Sequence, residues 1–324
     1  MPAFPLHVVF ILDNRCNLRC IHCSSNASTN ASVGLAYEEA KEIVAQLAAV
    51  GVMDIAYSGG EPLLRPDLPA LVRFARGLGI SVGTSTNGYP LTARKAQALR
   101  SAGLSRLQVS LDGPRDTHDR IRGRGAYDRA VRAISRSLDA GLRTHVCFTA
   151  MRMNADLLEE VIELAFGLGV HGFNLSQFVA TGRGSADDDL TPAQARSLLT
   201  TWLEAKRARP DHYFTAHASG LADLAQNEVE VPRAGCQAGM SIACIMADGS
   251  VTPCVMLPLP LGNLRQRSFR EIWTTHPVLD AFRRRDVSGR CGACQHRLSC
   301  GGCRAAAWAR YHDPLAGDPR CWKN

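Results

Sequence analysis

The sequence of 324 residues predicts an α/β fold, in which a partial (β/α)6, TIM-like barrel is followed by a small cysteine-rich domain. Residues 1–177 alternate short β-rich runs with amphipathic helical segments, which is typical of a parallel sheet with right-handed crossovers. Eight of the twelve cysteines fall after about residue 212, among several turns that contain glycine and proline. We therefore expect one domain over residues 1–211 and a second over residues 212–324.

Six runs rich in β-branched and aromatic residues account for the predicted strands. In chain order they cover residues 7–12, 53–58, 80–85, 106–111, 143–149 and 171–177. The segments between them show helical periodicity, as in residues 37–51, where Gly51 is well placed to end the helix. A last helix near residues 192–207 is entered through Thr191 and Pro192. Six strand–helix units make an incomplete barrel.

Composition and charge restrict the classes of protein to consider. With 46% hydrophobic and 21% charged residues, the chain has ordinary globular composition, without a basic secretory leader or a long apolar stretch. We therefore expect a cytoplasmic protein that does not contact a membrane. The formal net charge of +7 comes largely from arginines after residue 265, and we interpret it as a solvated basic face, with an acidic substrate or redox partner as the alternative. Without interleaved aromatic residues it does not predict nucleic-acid binding.

The segment CNLRCIHC, residues 16–23, predicts a metal site. Twelve cysteines in a large chain without an export signal favour metal ligation over disulfides. Cys16, Cys20 and Cys23 supply three thiolates, whereas a structural zinc ion or a cubane iron–sulfur cluster normally takes four protein ligands. His22 lies between two of these ligands on one tight loop and is badly placed to complete the same tetrahedron. A site that is one ligand short is typical of a reactive centre, where a molecule other than protein binds.

Polar, glycine-rich turns follow the neighbouring predicted strands. SGGEP, STNG and VSLDG come at the carboxyl ends of the second, third and fourth strands, where a parallel β/α barrel carries its active site. Glycine lets the backbone approach a ligand closely, and hydrogen-bonding side chains reach the same edge. These side chains are Glu61, Ser85, Asn87, Ser110 and Asp112. Each turn alone predicts little, but their shared position beside the cysteine loop indicates a binding site.

CNLRCIHC, SGGEP, STNG and SLDG together resemble the motifs of the radical S-adenosylmethionine (radical SAM) enzymes, and the resemblance covers nearly the whole chain. It implies that Cys16, Cys20 and Cys23 bind a [4Fe–4S] cluster. The amino and carboxylate groups of S-adenosylmethionine would then chelate the fourth iron. The missing protein ligand is, by this resemblance, the cosubstrate.

The resemblance also implies contacts with S-adenosylmethionine. The residues expected to hold the methionine amino group are Gly59, Gly60 and Glu61. Those expected near the ribose or the carboxylate are Ser85, Asn87 and Ser110. Arg122 lies in the segment HDRIRG, ten residues after Asp112. It is expected to clamp the carboxylate of S-adenosylmethionine, because a guanidinium binds a carboxylate in a bidentate way. The alternative is an arginine at the surface.

The second half resembles the SPASM domain of peptide and cofactor maturases, which carries two auxiliary [4Fe–4S] clusters. A CxxC-x5-CxxC pattern over residues 291–303 is followed by one further cysteine and preceded by three. The resemblance assigns to the first auxiliary cluster Cys236, Cys244, Cys254 and Cys303. It assigns to the second Cys291, Cys294, Cys300 and Cys321. Zinc at one of these sites is the alternative, and Cys147 is left over as a buried, inert thiol.

By this resemblance the protein is an enzyme, a radical SAM/SPASM oxidoreductase-type maturase. Reductive cleavage of S-adenosylmethionine yields a 5′-deoxyadenosyl radical that abstracts a substrate hydrogen, and the auxiliary clusters make the net reaction oxidative. The motifs look most like the branch that includes the haem-pathway enzymes and the pyrroloquinoline quinone peptide cyclase. We predict oxidative modification of a peptide, for a ribosomal natural product or a peptide-derived cofactor. The alternatives are tetrapyrrole side-chain modification and dehydrogenation or epimerisation of an aminosugar-type metabolite.

The expected partners follow from this chemistry. An external one-electron donor of the flavodoxin or ferredoxin type supplies the electron. Because the chain begins almost at the first strand, we expect no fused leader-recognition domain, so a peptide substrate needs a separate recognition partner. Sulfatase maturation is disfavoured, since Val255 follows Cys254 where that group has a Cys-Asp pair. The non-enzymatic alternatives, an iron–sulfur electron carrier or a zinc-stapled binding module, do not account for the three-ligand loop.

Overall fold

The computed structural model describes residues 3–31, 34–224 and 235–323. The strands of these residues are β1 (His7–Asp13), β2 (Asp54–Gly59), β3 (Ser81–Thr86), β4 (Arg106–Ser110), β5 (Thr144–Ala150), β6 (Gly172–Gln177), β7 (Tyr213–His217), β8 (Ile242–Ile245), β9 (Ser250–Thr252) and β10 (Gly262–Asn263). They form one sheet in the order β10-β9-β8-β1-β2-β3-β4-β5-β6-β7. The sheet is parallel from β8 through β1 to β7, and β9 and β10 are antiparallel additions at one edge.

Helices connect the parallel strands and continue after them. The α-helices of the described residues are α1 (Tyr37–Ala49), α2 (Leu68–Gly77), α3 (Ala93–Ser101), α4 (Arg115–Arg122), α5 (Ala126–Asp139), α6 (Leu158–Gly167), α7 (Pro192–Arg207), α8 (Leu221–Leu224), α9 (Phe269–Thr275), α10 (Pro277–Arg284), α11 (Gly289–Gly292) and α12 (Arg304–Tyr311). Short 3-10 helices cover Pro62–Leu64, Ala155–Leu157 and Ala186–Asp188. None of the helices in this part of the chain is long and apolar enough to cross a membrane.

The six strands predicted from the sequence are confirmed as β1 to β6. Their helix-facing sides are apolar because alternate residues point to one face of a strand, as Val8, Phe10 and Leu12 do in β1. These residues share one core with Val44 and Leu47 of α1. Burial of such side chains stabilises the fold by about 1.5–3 kcal/mol each. The predicted repetition of strand and helix therefore builds one continuous apolar layer.

The helix entered through Thr191 and Pro192 also begins where the sequence predicts it. Thr191 Oγ1 accepts a hydrogen bond from Gln194 N at 3.2 Å, and Thr191 N donates to Gln194 Oε1 at the same distance. This reciprocal pair satisfies donors that a helix start leaves open, and Pro192 needs no partner because it has no N–H group. α7 then runs back along the sheet to the start of β7.

A seventh parallel strand, β7, was not predicted. It pairs with β6 from Gly172↔Tyr213 to Ser176↔His217, beyond the expected domain boundary at residue 211. On the opposite edge, β8 pairs with β1 from His7↔Ile242 to Phe10↔Ile245, so the cysteine-rich half extends the same sheet. The division into two domains at residue 211 stays a prediction.

The sheet face away from the helices is polar at its amino-terminal end. Asp54 accepts hydrogen bonds from Arg106 Nη1 at 2.7 Å and Nη2 at 2.6 Å, and its Oδ2 lies 2.5 Å from His7 Nδ1. Burial alone would raise the pKa of Asp54, but Arg106 and His7 outweigh it and hold the pKa below its usual range. Gly83 leaves room for Arg106, since a Cβ there would lie 2.9 Å from Cζ. Ion pairs thus occupy this end, and the predicted motifs lie at the other.

Candidate functional site

The three-cysteine loop follows β1 directly and returns to it through main-chain hydrogen bonds. Cys16 N donates to Ser28 O at 3.0 Å, and Ser28 N donates to Asn14 O at 3.2 Å. Cys16 and Cys20 are buried, and burial raises the pKa of the Cys16 thiol to about 11. Cys16 therefore keeps its proton at neutral pH until a metal displaces it. All twelve cysteines of the chain are free thiols.

Glu61 ties the end of β2 to the end of β3. Its side chain is 1% exposed, and its carboxylate accepts hydrogen bonds from Leu63 N at 3.0 Å, Thr86 Oγ1 at 2.8 Å and Asn87 N at 2.7 Å. Burial raises the pKa of Glu61 to about 7, against these three donors. Both carboxylate oxygens are thus occupied by groups of the protein, and the carboxylate fixes the turn that carries Asn87.

Gly59 and Gly60 pack against the main chain that leads into the cysteine loop. Gly59 has a φ of +145°, and a Cβ there would lie 2.3 Å from Asp13 O. A Cβ at Gly60 would lie 2.1 Å from Arg15 O, and Gly60 N donates to Asp13 O at 2.7 Å. The sequence predicted that the backbone of this turn approaches a ligand closely, and that contact stays a prediction. In the structure the turn approaches the chain's own backbone.

Asn87 directs its side chain at the first cysteine. Its Nδ2 donates to Asn17 Oδ1 at 3.0 Å and lies 3.7 Å from Cys16 Sγ. Its Oδ1 accepts from Tyr89 N at 3.0 Å, which fixes the orientation of the amide. Asn87 therefore holds the loop in addition to the ligand contact expected of it.

Ser85 and Ser110 lie half-buried on β3 and β4 at the same edge of the sheet. Ser85 Oγ accepts from Gln108 Nε2 at 3.5 Å, a long contact. For Ser110, the described residues provide no side-chain hydrogen-bond partner, so its hydroxyl is left for a ligand or water. Both serines thus lie at the edge of the sheet that carries the cysteine loop. In the described residues, no side-chain hydrogen bond joins either serine to a cysteine of that loop.

Arg122 lies in the interior, which excludes the alternative of a surface arginine. Its side chain is 10% exposed, its Nε donates to Asp112 Oδ2 at 2.5 Å, and its Nη2 lies 3.3 Å from His22 Nε2. Asp112 also accepts from Thr149 N at 2.9 Å and lies 3.1 Å from His22 Nε2. Burial alone would raise the pKa of Asp112, but Arg122 and His22 outweigh it and hold the pKa well below its usual range. Arg122 thus pairs with a protein carboxylate beside Cys20.

Arg183 also binds the cysteine loop through hydrogen bonds. Its Nε donates to Cys20 O at 3.0 Å, its Nη1 to Ala27 O at 2.6 Å, and its main-chain N to Cys23 O at 3.0 Å. The preceding Gly182 has a φ of +62°, and a Cβ there would lie 2.3 Å from Cys23 O. Sequence reasoning assigned no role to Arg183 or to the Asp112–His22 contact. The Gly-Arg pair after the sixth strand was the available signal for Arg183.

One set of C-terminal cysteines lies around β8 and β9. Burial raises the pKa of Cys254 to about 12, and Cys236 and Cys303 lie close enough to raise it further. Burial also raises the pKa of Cys244 in β8, and Cys254 adds to this rise. The set contains the same four residues that the resemblance assigned to the first auxiliary cluster, although their ligation stays a prediction.

The other set lines a cavity of about 590 Å³. Its members are Cys291, Cys294, Cys300 and Cys321. Cys300 and Cys321 both lie within electrostatic range of Cys291. Thiolates are the usual ligands of iron–sulfur clusters, so the donors and the space both fit such a group. Across residues 3–31, 34–224 and 235–323, no three His, Cys, Asp or Glu side chains converge closely enough to hold a single metal ion.

Two family models match the chain. Residues 10–175 match the radical SAM superfamily, and residues 236–296 match SPASM, an iron–sulfur cluster-binding domain. The chain belongs to the radical SAM superfamily. The resemblance drawn from CNLRCIHC and the C-terminal cysteines is thereby confirmed, and so is the prediction of an enzyme. Membership in the radical SAM/SPASM family implies [4Fe–4S] clusters and S-adenosylmethionine.

Proteins similar to this radical SAM enzyme include a haem synthase and a mycofactocin maturase. An AdoMet-dependent heme synthase of Methanosarcina barkeri is 32% identical over 99% of this chain and 97% of that protein. The mycofactocin maturase MftC of Mycolicibacterium smegmatis is 32% identical over 98% of this chain and 82% of that protein. SuiB of Streptococcus suis, solved with its precursor peptide SuiA, has a TM-score of 0.81 at 18% identity, over 99% of this chain and 76% of SuiB. This last likeness shows the fold alone.

Proposed function

We propose that this enzyme cleaves S-adenosylmethionine reductively to a 5′-deoxyadenosyl radical, which abstracts a hydrogen atom from the substrate in an oxidative modification. The observation that carries the proposal is the loop of Cys16, Cys20 and Cys23, which offers two buried thiols and one half-buried thiol beside polar strand ends. A [4Fe–4S] cluster bound there supplies the electron for this cleavage. The contacts of Asn87 and Arg183 keep the loop in place for binding.

We propose that S-adenosylmethionine lies against the same strand ends. Its contacts are Gly59, Gly60, Glu61, Ser85, Asn87, Ser110 and Arg122. Because protein donors occupy the Glu61 carboxylate, Glu61 contributes through its main chain to the amino-group site. Because Nε of Arg122 is bonded to Asp112, the cosubstrate carboxylate meets its Nη groups.

The cysteine-rich half carries the rest of the redox machinery in this proposal. Residues 1–211 form the radical SAM core and residues 212–324 the SPASM domain. The two spatial sets of four cysteines each hold an auxiliary cluster, so that the chain carries three [4Fe–4S] clusters. Their role is to accept an electron from the substrate radical, which makes the net reaction oxidative.

Two substrate classes have support. The sequence analysis predicted a peptide, and the similarity to MftC, a maturase by name, is compatible with that class. A tetrapyrrole side chain has the more specific support, because the match with the heme synthase covers 99% of this chain and 97% of that protein. We therefore test the tetrapyrrole class first. A flavodoxin or ferredoxin as donor, and a separate recognition protein in the peptide case, belong to the same proposal.

Anaerobic reconstitution tests the cofactor part of the proposal. We expect about twelve irons and as many sulfides per chain, and 5′-deoxyadenosine on addition of S-adenosylmethionine and dithionite. Replacing Cys16, Cys20 and Cys23 by alanine should leave about eight irons and abolish this product. Retained cleavage would place the reactive cluster elsewhere. About four irons with stoichiometric zinc in the wild type would overturn the auxiliary assignment.

A carboxylated tetrapyrrole, iron coproporphyrin III, tests the substrate part. We expect it to raise 5′-deoxyadenosine formation above the substrate-free rate and to change its own mass in step with that product. The triple alanine variant is the control, and it should show neither effect. If substrate-free cleavage persists and the tetrapyrrole changes neither rate nor mass, the tetrapyrrole class is wrong and the peptide class remains.

A further inference from the structure

Arg285 occupies an unusual position at the end of α10. Its side chain is 5% exposed, and its backbone has a φ of +56°, in the left-handed region that favours glycine. Its Nη1 lies in space that Gly301 leaves open, since a Cβ at Gly301 would lie 2.5 Å from that atom. A buried, charged residue held in a strained conformation indicates a functional constraint.

The charge of Arg285 has no counter-ion among the residues that the structure describes. Among the residues that the structure describes, no carboxylate lies within ion-pair distance of Arg285, and its Nε has no hydrogen-bond partner. Arg304, which is 1% exposed, also has no carboxylate within ion-pair distance among the described residues. It donates to three carbonyl oxygens, and its Nη2 has no hydrogen-bond partner. The two guanidinium groups interact electrostatically with each other. A buried charge without a counter-charge is strongly unfavourable. Asp318 lies close to Arg304, since a Cβ at Gly302 would meet both Arg304 Nη2 and Asp318 Cβ, but no carboxylate of the described residues pairs with Arg285. The surroundings of Arg285 therefore require negative charge.

The groups that Arg285 faces are cysteines of both C-terminal sets. Its guanidinium lies within electrostatic range of the thiols of Cys236 and Cys300. These two cysteines are adjacent, since Cys236 N donates to Cys300 O at 3.0 Å. Cys236 belongs to the set around β8 and β9, and Cys300 to the set that lines the cavity. Arg304 lies beside the second set, since a side chain at Gly302 would meet both Arg304 Nη2 and Cys291 Sγ. Arg285 therefore lies between the two sets.

We propose that Arg285 is the cation shared by the two auxiliary clusters, and that its charge favours their reduced forms and so raises both reduction potentials. The inference rests on the cysteine assignment of the proposed function. Gaining an electron makes a cluster more negative, and a fixed positive charge in a poorly solvated region stabilises the added charge. Higher potentials make the auxiliary clusters better acceptors for the electron that an oxidative reaction releases.

The test uses variants at Arg285 in the protein whose Cys16, Cys20 and Cys23 are alanine, so that only auxiliary clusters report. Arg285→Gly removes the charge and suits the left-handed backbone, and Arg285→Lys keeps the charge. The matched control is Arg284→Gly, since Arg284 is 65% exposed and pairs with Asp286. Midpoint potentials come from redox titration followed by electron paramagnetic resonance. Iron and sulfide are measured on the same samples.

We expect Arg285→Gly to lower the potentials of both clusters, changing the ratio of reduced to oxidised cluster at the parent midpoint about tenfold, which is about 59 mV for one electron. Arg285→Lys and Arg284→Gly should stay within about twofold of the parent. Loss of auxiliary iron in Arg285→Gly alone, with Arg285→Lys intact, would also support the charge pairing. Unchanged potentials at full iron content, a shift in only one cluster, or iron loss in both Arg285 variants would overturn it. A parent protein without auxiliary iron would instead overturn the cysteine assignment.

Discussion

The substitution Glu61→Gln separates a structural role of this residue from a role in ligand binding. Oε1 of Glu61 accepts from Leu63 N and Thr86 Oγ1, and Oε2 accepts from Asn87 N. Glutamine replaces one oxygen by an NH2 group, which can only donate. The Thr86 hydroxyl can turn to accept a bond, but the main-chain N–H of Leu63 or of Asn87 cannot. One buried donor is therefore left without a partner.

The expected loss of stability depends on pH. An unpaired buried N–H group costs about 1–3 kcal/mol. Burial raises the pKa of Glu61 to about 7, above its value in the unfolded chain, so the unfolded chain loses this proton first as pH rises. The group's contribution is complete below the unfolded pKa and falls as pH rises through the folded pKa, by about 3 kcal/mol. Glutamine does not titrate, so the variant is less stable by about 1–3 kcal/mol near about pH 5, and the difference shrinks or reverses near about pH 8.

Urea unfolding followed by circular dichroism at the two pH values measures this difference, with Thr86→Val as the control that removes one donor and leaves the charge. S-adenosylmethionine affinity, measured by equilibrium dialysis, should change less than about tenfold in Glu61→Gln, because the carboxylate already binds three protein donors. A pH-independent stability difference together with a loss of affinity of about a hundredfold or more would refute the reasoning, because it would place the carboxylate on the ligand.

Three further predictions concern groups around the loop. Burial raises the pKa of Cys147 to about 12, so Cys147→Ala should keep all iron and lower stability by roughly 1 kcal/mol. If 5′-deoxyadenosine persists while the product becomes an oxidised or unquenched species, the thiol donates hydrogen and the packing role is wrong. Asp112→Asn removes the partner of buried Arg122 and should lower the free energy of unfolding by about 3–5 kcal/mol in urea titrations; an unchanged midpoint contradicts the ion pair. Arg183→Met removes the donors to Cys20 O and Ala27 O, and iron should leave the loop cluster about tenfold faster in a chelator assay; a rate equal to wild type would show that the loop holds itself.

The strands were predictable to the extent that their signals are local. β1 to β6 each carry a run of β-branched or aromatic residues bounded by a turn, and such a run marks a strand whatever it pairs with. β7, with the sequence YFTAH, is short and lies where the composition changes, so it was assigned to no element. β8 could not be placed from the sequence, because its position depends on pairing with β1, which is more than 200 residues away.

The site residues divide in the same way. Cys16, Cys20 and Cys23 lie within eight residues of each other, and their spacing defines a three-ligand loop. A metal site with an open position could therefore be predicted without a structure. The expected role of Arg122 was assigned from the family resemblance and from guanidinium chemistry, but the sequence could not show that Arg122 pairs with Asp112. The ion pair forms in the interior because each buried charge needs a counter-charge.

The sequence by itself determined the alternation of strands and helices and the three-thiol loop, because each depends on neighbouring residues. The assignment of the eight C-terminal cysteines to two clusters came from the resemblance and stays a prediction. Only the tertiary structure decided what surrounds the thiols. Glu61 meets Asn87 across 26 positions, His22 meets Asp112 across 90, and Arg183 meets Cys20 across 163. These contacts form because a polar group buried away from water needs a donor, an acceptor or a counter-charge. The tertiary fold decides which residue supplies it. Arg320 of the cysteine-rich half obeys the same rule by pairing with Asp318, whereas no carboxylate of the described residues pairs with the buried Arg285 or Arg304.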